Sequence, residues 1–538
     1  MIRLNQIGIP INAKQDIPAK LDSEIKNRLR IKDYKSYTIY KKSIDARKKP
    51  NLKWIYSVDV SVDNEQEVMK RCRDKNAAII CEKSYDLMVS SSGNSDIRPI
   101  IVGMGPCGLF CAYMLAKHGY KPIVLERGKC VRDRLDDVKA FWESGVLDTA
   151  SNVQFGEGGA GTFSDGKLNT LIKDKSGRNR EVLKIFTTHG APESILYDSK
   201  PHIGTDILID VVESMRNKIV EWGGEVRFES QVTDFIIDKV TSSVKGVILA
   251  DNTKIMSEIV ILAPGHSARD TFAVLHSKNV PMEAKAFAVG YRVSHPQSMI
   301  DINQYGVEGS ELNLPAASYK LTHQSANGRG VYSFCMCPGG YVVNSSSEES
   351  RLAINGMSYH DRDSGYANSA IIMSVTPDDY PGSGPLAGVE FQRAIEARAY
   401  EIGKGRIPVQ KYVDFKHKRV STTNVDAQNE LRFKGAYTFT DLHGILPEAL
   451  EESFVEGMES FDTIIDGFAG EKCIMAGIES RTSSPVRISR DDSCQSAIRG
   501  LYPCGEGAGY AGGITSAAMD GILIAEKVAH RLNNIKED

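Results

Sequence analysis

Residues 100–128 constrain the fold of this chain more strongly than any other stretch. A short β-branched run is followed by the pattern G-x-G-x-x-G at Gly103, Gly105 and Gly108. A helical segment and a second apolar run then lead to Glu126. This order predicts two parallel strands joined by a helix whose N-terminus faces a dinucleotide's pyrophosphate. The carboxylate is placed to accept both ribose hydroxyls.

The glycine pattern alone is a weak signal, because further copies begin at Gly156 and Gly507. Neither copy is followed by a helix, a strand and an acid at the required distance. A glycine turn in an ordinary α/β sheet is the other explanation for residues 100–128, but it does not explain why turn, helix and acid coincide. Further contacts to the dinucleotide are expected from Pro106, Cys107, Arg127 and Gly128.

Composition sets the general class. A chain of 538 residues with 41% apolar and 25% charged residues is typical of a globular protein with roughly three domains.

The net charge of −3 provides no basic field for nucleic acid, so no nucleic-acid partner is expected. No run approaches about 18 apolar residues and no signal-peptide core is present, so we expect no membrane span and a cytoplasmic location. The 10 cysteines include no C-x-x-C pair, and no metal site is expected.

Residues 1–95 are predicted to form a small α+β domain that ends in the serine-rich linker at 90–96. We interpret this domain as a docking or capping module and leave an RNA- or protein-binding role open. The expected elements are helices at 22–29 and 64–74 and strands at 36–46, 52–62 and 77–81.

Residues 156–168 form a second glycine-rich segment. So many glycines make little packing sense unless a bulky group lies against the backbone; the alternative is a long flexible loop. We expect the segment to wrap a cofactor's pyrophosphate and ring system. The expected contacts are Gly158, Gly159 and Thr162.

The next segment predicts a helix capped by Thr205 or Asp206 and then a β-meander, whose last strand covers 254–262. This order resembles the flavoproteins with two dinucleotide-binding domains, in which a strand valine contacts adenine and the returning strand ends in Ala-Thr-Gly. Proline at the middle position here removes a hydroxyl contact but keeps the tight turn. The residues that the resemblance implies are Val232, Ala263, Pro264 and Gly265.

A second anchor lies at residues 500–514, where a strand leads into a glycine-rich turn and a long helix. Many FAD enzymes carry Gly-Asp at this point, with the acid on a ribityl hydroxyl and the helix N-terminus facing the flavin. Glutamate here is one methylene longer. Two anchors about 400 residues apart indicate FAD, because NAD as the sole resident ligand would not need the second. The expected contacts are Gly505, Glu506, Gly512, Gly513 and Ile514.

With these residues in view, the chain resembles the FAD-dependent dehydrogenase-like proteins of bacteria and plastids, an uncharacterised family within the glutathione-reductase-type flavoprotein superfamily. The strongest matches are at 156–168, 201–206, 263–270, 481–487 and 505–513, and residues 42–47 look like a family feature. The resemblance implies bound FAD but no particular reaction, because the family has no settled substrate.

The implied fold class is α/β, with a Rossmann-like FAD-binding domain that contains the β-meander. Its expected segments are 96–280 and 470–538. An inserted mixed α+β substrate domain is expected at 281–469, and the small α+β domain at 1–95 precedes both. Within the insert we predict strands at 286–293, 330–337, 340–344 and 370–375, a helix at 387–402, and a helix before 468 that packs towards the FAD-binding domain.

The residues proposed to be catalytic are His266, Arg292, Arg481 and His202. His266 follows a turn next to the cofactor, where it could do acid–base work, contact FAD or make a structural hydrogen bond. Arg292 could hold a substrate carboxylate with two parallel hydrogen bonds or form a buried ion pair. Arg481 lies in the most anion-friendly short segment, with Arg269 and Ser483 as further candidates, and Cys335 or Cys337 could be a reactive thiol.

The leading hypothesis is an FAD-dependent oxidoreductase that transfers a hydride between the flavin and an unidentified small-molecule substrate. No second glycine pattern lies in the proper context, so NAD(P)H would bind only transiently. One alternative is an FAD-dependent monooxygenase, and the other is a flavin-bearing RNA- or protein-binding module. The substrate, the electron donor and the oligomeric state are left open.

Overall fold

The structure is a computed structural model that describes residues 1–11, 16–81, 85–86, 88–91, 96–421 and 431–533. Most of the predicted linker at 90–96 therefore lies outside the described residues. Short 3-10 helices occur at Ala160–Phe163, Glu193–Leu196, Gly309–Leu312 and Pro377–Asp379.

The N-terminal domain is a four-stranded antiparallel sheet with two helices on one face. Its elements are β1 (Ile2–Pro10), α1 (Ile17–Leu29), β2 (Ser36–Asp45), β3 (Lys53–Ser61), α2 (Glu65–Arg71) and β4 (Ala77–Ile79), in the sheet order β2-β3-β1-β4. The sequence prediction missed β1, because Gln6 has a left-handed φ of 58° where the register shifts. Burial therefore changes from even to odd positions along this strand, which hides its period of two.

A five-stranded parallel sheet, in the order β24-β11-β5-β6-β7, forms the centre of the chain. Its strands are β5 (Ile100–Val102), β6 (Ile123–Leu125), β7 (Glu225–Arg227), β11 (Val260–Leu262) and β24 (Leu501–Pro503). The surrounding helices are α3 (Pro106–Lys117), α4 (Val131–Ser144), α5 (Arg178–Thr188), α6 (Thr205–Glu221), α7 (Arg269–Ser277) and α12 (Ile514–Leu532). The predicted strand–helix–strand unit of residues 100–128 is thus confirmed as β5, α3 and β6.

Two local predictions in this region were wrong. The single strand expected at 254–262 is two strands in different sheets, because β10 (Lys254–Met256) pairs with β9 (Ser243–Leu249) of the meander, whereas β11 pairs with β5 and β24. The meander is completed by β8 (Val232–Asp238). Helix α6 follows Gly204, which has a φ of 91° and no side-chain cap. The Thr205 hydroxyl donates to Ser164 O at 2.9 Å, and the Asp206 carboxylate accepts from His360 N at 2.9 Å.

The insert is built on a seven-stranded sheet in the order β14-β15-β18-β13-β22-β19-β21. These strands are β13 (Phe287–Pro296), β14 (Thr322–Gln324), β15 (Gly330–Cys337), β18 (Tyr366–Val375), β19 (Ile407–Lys411), β21 (Tyr437–Phe439) and β22 (Ile474–Glu479). A smaller sheet contains β16 (Tyr341–Asn344), β17 (Ile354–Met357) and β20 (Phe433–Lys434), while β12 (Met282–Ala284) pairs with β23 (Val486–Ile488). The helices are α8 (Gln297–Tyr305), α9 (Ala387–Gly403), α10 (Tyr412–Lys416) and α11 (Glu448–Asp462).

The large sheet of the insert extends past the expected boundary at 469, because β22 pairs with β13 and β19. Helix α11 packs on this same sheet through Phe454, Met458 and Phe461, which belong to the insert's own core. The expectation that this helix packs towards the cofactor-binding sheet was wrong, since its buried face is used within the insert.

The N-terminal domain docks on the rest of the chain through the hairpin of β2 and β3. Lys42 N donates to Tyr197 O at 2.7 Å, and Ser199 N donates to Lys42 O at 2.8 Å. Leu52, at the end of the hairpin loop, is buried in the core of the insert. The hairpin therefore binds and stabilises residues 197–199, which lead directly to Lys200.

Two glycines allow the central helices to pack unusually closely. A Cβ on Gly108 in α3 would lie 2.0 Å from Gly103 O, at the end of β5. A Cβ on Gly521 in α12 would lie 2.2 Å from Cys107 O in α3. The absence of side chains at these points brings β5, α3 and α12 into direct backbone contact. Both helices begin at the carboxyl end of the parallel sheet, because α3 follows β5 and α12 follows β24.

Candidate active site

A cavity of about 630 Å³ runs along the carboxyl edge of the parallel sheet. The lining comes from each strand end in turn: Glu126 after β6, Gly103 after β5, Ala263 after β11 and Gly505 after β24. The carboxyl edge is where open α/β sheets bind ligands, because the strand ends and the helix N-termini converge there.

Most of the residues predicted to bind the cofactor line this cavity. They are Gly103, Gly105, Pro106, Cys107, Glu126, Arg127, Gly159, Val232, Ala263, Pro264, Gly265, Gly505, Glu506, Gly512, Gly513 and Ile514. The two anchors and the second glycine segment, which are far apart in sequence, therefore meet at one site.

Four predicted residues lie behind the lining and shape it from there. Gly108 permits the contact between α3 and β5 already described. A Cβ on Gly128 would lie 2.7 Å from Gly156, and a Cβ on Gly158 would lie 2.1 Å from the Thr162 hydroxyl. The three glycines permit close approach of neighbouring segments, and direct contact of all four residues with the cofactor stays a prediction.

The Glu126 carboxylate holds three loops together. It accepts hydrogen bonds from Met104 N at 2.7 Å, Gly128 N at 3.0 Å and Gly156 N at 2.9 Å. The side chain is buried, and an ionised carboxylate offers about four acceptor sites. Room therefore remains for about one further donor at the position expected to face ribose hydroxyls.

Four glycines in the lining have free space where a side chain would be. A Cβ on Gly265, Gly512 or Gly513 would meet no atom within 4 Å, and one on Gly105 would meet only Gly159, at 3.8 Å. Gly513 has an extended φ of 177°, so its conformation does not require glycine either. At these positions the missing side chains enlarge the cavity rather than relieve a contact within the protein.

The N-termini of α3 and α12 both open into this space. Their N-cap residues are Gly105 and Gly513, and neither helix has a side-chain hydrogen bond at its cap. Helix N-termini without such caps present backbone N–H groups and the positive end of the helix dipole. The cavity can therefore receive negative charge or carbonyl oxygens at two separate points.

His266 lines the cavity beside the second anchor. Its Nδ1 lies 3.4 Å from Glu506 Oε1, and its buried Nε2 has no hydrogen-bond partner among the residues that the structure describes. Arg127 lies over the ring of Phe155, with 4.2 Å between the guanidinium carbon and the ring centroid, and pairs with Asp270 at 2.9 Å. Arg127 thus lies after β6 and His266 after β11, and the pair of Arg127 with Asp270 of α7 connects the two segments.

Arg481 lines the cavity, but its donors are already used. Its Nε and Nη2 each donate to Glu396 at 2.9 Å, and its Nη1 donates to Ser267 and Ser347. Arg269 pairs with the same carboxylate at 2.7 Å. The role predicted for Arg481, holding a substrate anion, is therefore corrected, because the anion it holds is Glu396.

Arg292 is fully buried and does not line the cavity. Its Nε donates to Glu479 at 3.0 Å and its Nη1 donates to Asn368 Oδ1 at 2.7 Å. Of the two roles considered for this arginine, the structure gives it the buried ion pair and corrects the role in holding a substrate carboxylate.

His202 also lies outside the lining. It stacks on His360 with ring centroids 5.2 Å apart. Burial, followed by the nearby charge of Arg362, lowers the pKa of His202 to about 4. The ring is therefore neutral between pH 5 and 8 and at most a weak base, and its position outside the lining argues against the predicted catalytic role.

The other side of the cavity is lined by the insert together with residues from 165–169 and Lys200, and sequence reasoning missed most of these residues. They are Asp165, Lys167, Asn169, Lys200, Ser318, Tyr319, Lys320, Ser333, Phe334, Cys335, Met336, Cys337, Asn355, Gly356 and Glu479. These residues come from separate segments, and no local motif marks them apart from the second glycine segment, which contains Lys167.

Of the two cysteines considered as reactive thiols, Cys335 is exposed to the cavity and Cys337 is buried. Cys335 has a φ of 41° at an irregularity in the pairing of β15 with β18. The surrounding protein raises the pKa of its thiol to about 12. The thiol is thus protonated at neutral pH, which argues against a nucleophilic role.

Glu396 connects the cofactor-binding segments to the insert. This fully buried carboxylate of α9 accepts from Arg269, Arg481 and the Ser480 hydroxyl, the last at 2.6 Å. Burial by itself would raise the pKa of Glu396, but the two arginines lower it well below its usual range. The carboxylate therefore remains charged in the folded protein at acidic pH.

Three comparisons relate the chain to known proteins. A Clostridium beijerinckii protein described as uncharacterized is 45% identical over 542 residues, which cover 99% of each chain. The family described as FAD-dependent protein, C-terminal domain-like, matches residues 286–482, a range that includes β22 with the insert. A domain of unknown function matches residues 1–61.

Among solved structures, glycerol-3-phosphate dehydrogenase from Bacillus halodurans, complexed with FAD, is 12% identical and has a TM-score of 0.36; the match covers 83% of this chain and 66% of that one. L-proline dehydrogenase from P. horikoshii is 12% identical with a TM-score of 0.33, over 80% and 93% of the two chains. Across the described residues, no helix is long and apolar enough to cross a membrane, and no group of three or more metal-binding side chains is found.

We predict that Glu396→Gln destabilises the folded protein by about 3–5 kcal/mol, because two buried guanidinium groups lose their shared negative partner. Thermal unfolding at pH 7 measures this as a clear drop in the apparent Tm. The difference in stability between the wild type and Glu396→Gln is expected to be largest above about pH 5 and to decrease below about pH 4. The reason is that the pKa of Glu396 is lower in the folded than in the unfolded chain.

The matched control for this substitution is Glu390→Gln in the same helix, whose side chain is 66% exposed and pairs with Arg393. Its loss is expected to change stability by less than about 1 kcal/mol. Equal Tm changes in the two variants would contradict the role given to Glu396.

Proposed function

This chain belongs to the same protein family as the Clostridium beijerinckii protein, and we propose that it is an FAD-dependent oxidoreductase that acts on a small substrate by hydride transfer. The match to an FAD-dependent C-terminal domain supports the cofactor class. The cavity at the carboxyl edge of the parallel sheet is the proposed place for FAD and substrate.

The observation that carries this proposal is the set of lining glycines that have free space at the Cβ position and no left-handed backbone: Gly105, Gly512 and Gly513. A protein that did not bind a bulky ligand here would gain stability from side chains at these positions, because they would fill the cavity. Their distribution over both anchors fits one elongated ligand better than two small ones.

The residues present fit FAD at both ends. We propose that the uncapped N-terminus of α3 binds the pyrophosphate and that Glu126 accepts a ribose hydroxyl. The N-terminus of α12 would face the flavin, where its dipole favours negative charge on the reduced ring. When bound, FAD supplies the hydride chemistry, and the protein supplies position and charge.

Glu506 and His266 are proposed to act together beside the second anchor. The imidazole, 3.4 Å from the carboxylate, holds Glu506 at the cavity wall, where it is 25% exposed. This placement supports the predicted role of Glu506 as an acceptor for a ribityl hydroxyl, and it makes His266 a positioning residue.

We predict that Gly105→Val yields folded protein without flavin colour. The backbone at Gly105, with φ −70° and ψ −177°, accepts a β-branched residue, and a Cβ there meets only Gly159. The added methyl groups would occupy the space next to the N-terminus of α3 that the pyrophosphate needs. The ratio of visible flavin absorbance to protein absorbance measures loading, and circular dichroism measures folding.

Gly8→Val in β1 is the matched control, because a Cβ on Gly8 meets only Ile55 at 3.6 Å and Lys53 at 3.7 Å. This variant is expected to stay yellow. Full flavin loading of Gly105→Val would show that the N-terminus of α3 does not bind the pyrophosphate.

Redox activity is tested by mixing the purified yellow protein with NADH or NADPH without oxygen and then admitting air. We expect the visible absorbance of the flavin to decrease when a reduced donor transfers electrons to it. Fast reoxidation coupled to a substrate would instead indicate a monooxygenase. A flavin that dithionite reduces but that no biological donor reduces would contradict an oxidoreductase and favour a flavin-bearing binding module.

A further inference from the structure

Three lysines, Lys167, Lys200 and Lys320, line the part of the cavity that faces the insert, and we call them the lysine rim. No predicted cofactor contact lies among them. They converge from three separate segments, so the site could not be recognised along the sequence.

Backbone pairing brings the first two lysines together. Leu168 N donates to Pro201 O at 2.9 Å, and Lys167 forms an antiparallel bridge with His202. The Lys200 ammonium donates to Ser318 Oγ at 2.8 Å, which ties it to the segment that carries Lys320. The docked N-terminal hairpin fixes the same segment, because Ser199 N donates to the backbone of β2.

Two carboxylates in the same lining as Lys200 and Lys320 already form ion pairs with other cationic side chains. Asp165 accepts from Arg362 Nε at 3.1 Å and lies 3.3 Å from the Lys167 ammonium. Glu479 is paired with the buried Arg292 at 3.0 Å. Neither of these two acids therefore remains to neutralise the other two lysines of the rim.

Lys200 and Lys320 form no ion pair with any carboxylate in the described ranges. Both residues line the cavity, and part of each side chain stays accessible there. Burial by surrounding segments, and then the charges of Arg362 and Lys167, lower the pKa of Lys200. A bound anion would relieve this repulsion, whereas a neutral ligand would not.

The rim lies close to the proposed flavin end of the cavity. Thr515, in the first turn of α12, donates its hydroxyl to Leu168 O at 2.8 Å. Leu168 directly follows Lys167 of the lysine rim. A ligand held by the rim would thus extend towards the N-terminus of α12, where the flavin is proposed to lie.

We propose that Lys200 and Lys320 bind the anionic group of a small substrate that carries a carboxylate or a phosphate. This inference rests on the proposed function, because it assumes that FAD occupies the glycine-lined part of the same cavity. Two separate ammonium groups suit a compact oxyanion as point charges, in contrast to the planar fork of an arginine. The arginines first considered for this task are used in buried ion pairs.

The test uses the full-length, FAD-loaded protein at constant ionic strength. Succinate, methyl phosphate and the uncharged succinamide are titrated separately, and difference spectra of the bound flavin report binding. We expect succinate or methyl phosphate to perturb the spectrum with saturation and succinamide to have no effect. Which of the two anions binds more tightly distinguishes a carboxylate from a phosphate substrate.

Lys200→Gln and Lys320→Gln are each expected to weaken binding of that anion about tenfold or more, because each removes a charge-assisted hydrogen bond. Lys200→Arg should keep most of the affinity. Lys239→Gln, at an exposed lysine outside the lining, is the matched control and should bind as the wild type does.

Two results would overturn the inference while leaving FAD binding intact: no spectral response to either anion, or unchanged affinity in both lysine variants. Loss of FAD from Lys200→Gln would also overturn the inference, because it would show that the lysine rim binds the phosphates of the cofactor and not a substrate. Absence of FAD from the wild-type protein would instead overturn the proposed function itself.

Discussion

Close backbone packing between β5, α3 and α12 is the constraint on which the rest of the site depends. It requires glycine at 108 and 521, where any Cβ would overlap a backbone carbonyl oxygen. α3 follows β5 and α12 follows β24, so both helices begin at the carboxyl edge of the sheet and their N-termini line one cavity. The cavity thus receives two sources of positive electrostatic potential without a charged side chain at either cap.

Two buried carboxylates then fix the surroundings of this cavity. Glu126 holds the turns after β5 and β6 and the second glycine segment through three backbone N–H groups. Glu396 holds the insert to the cofactor-binding segments through two arginines. Each carboxylate joins segments that are distant in the chain, so the lining is rigid on the side of the sheet and on the side of the insert.

What could be predicted from the sequence was local. The strand, glycine turn, helix and acid of residues 100–128 lie within one unit, so their spacing alone carried the information. Four strands of the insert, β13, β15, β16 and β18, were found for the same reason, whereas β14, β17, β19, β21 and β22 were not predicted. β1 was missed because a left-handed Gln6 interrupts its alternation, and the strand expected at 254–262 was misread because two strands of different sheets follow each other closely.

The roles of charged residues could not be predicted, because a partner across the fold decides whether an arginine is free. Arg292 was considered both for a substrate carboxylate and for a buried ion pair, and Arg481 was a candidate in an anion-friendly segment. Glu479 and Glu396, which only tertiary packing brings close, occupy their guanidinium groups. The same packing leaves Lys200 without a carboxylate ion-pair partner in the described part of the chain. No sequence pattern predicts this.

The most direct test of this account is to unfold the purified full-length protein and identify what it releases. The two anchors face opposite parts of one ligand, so the account predicts FAD, with a single molecule for each chain, measured by chromatography and absorbance of the supernatant. Release of no flavin, or of FMN, which lacks the adenosine end expected at Glu126, would contradict it.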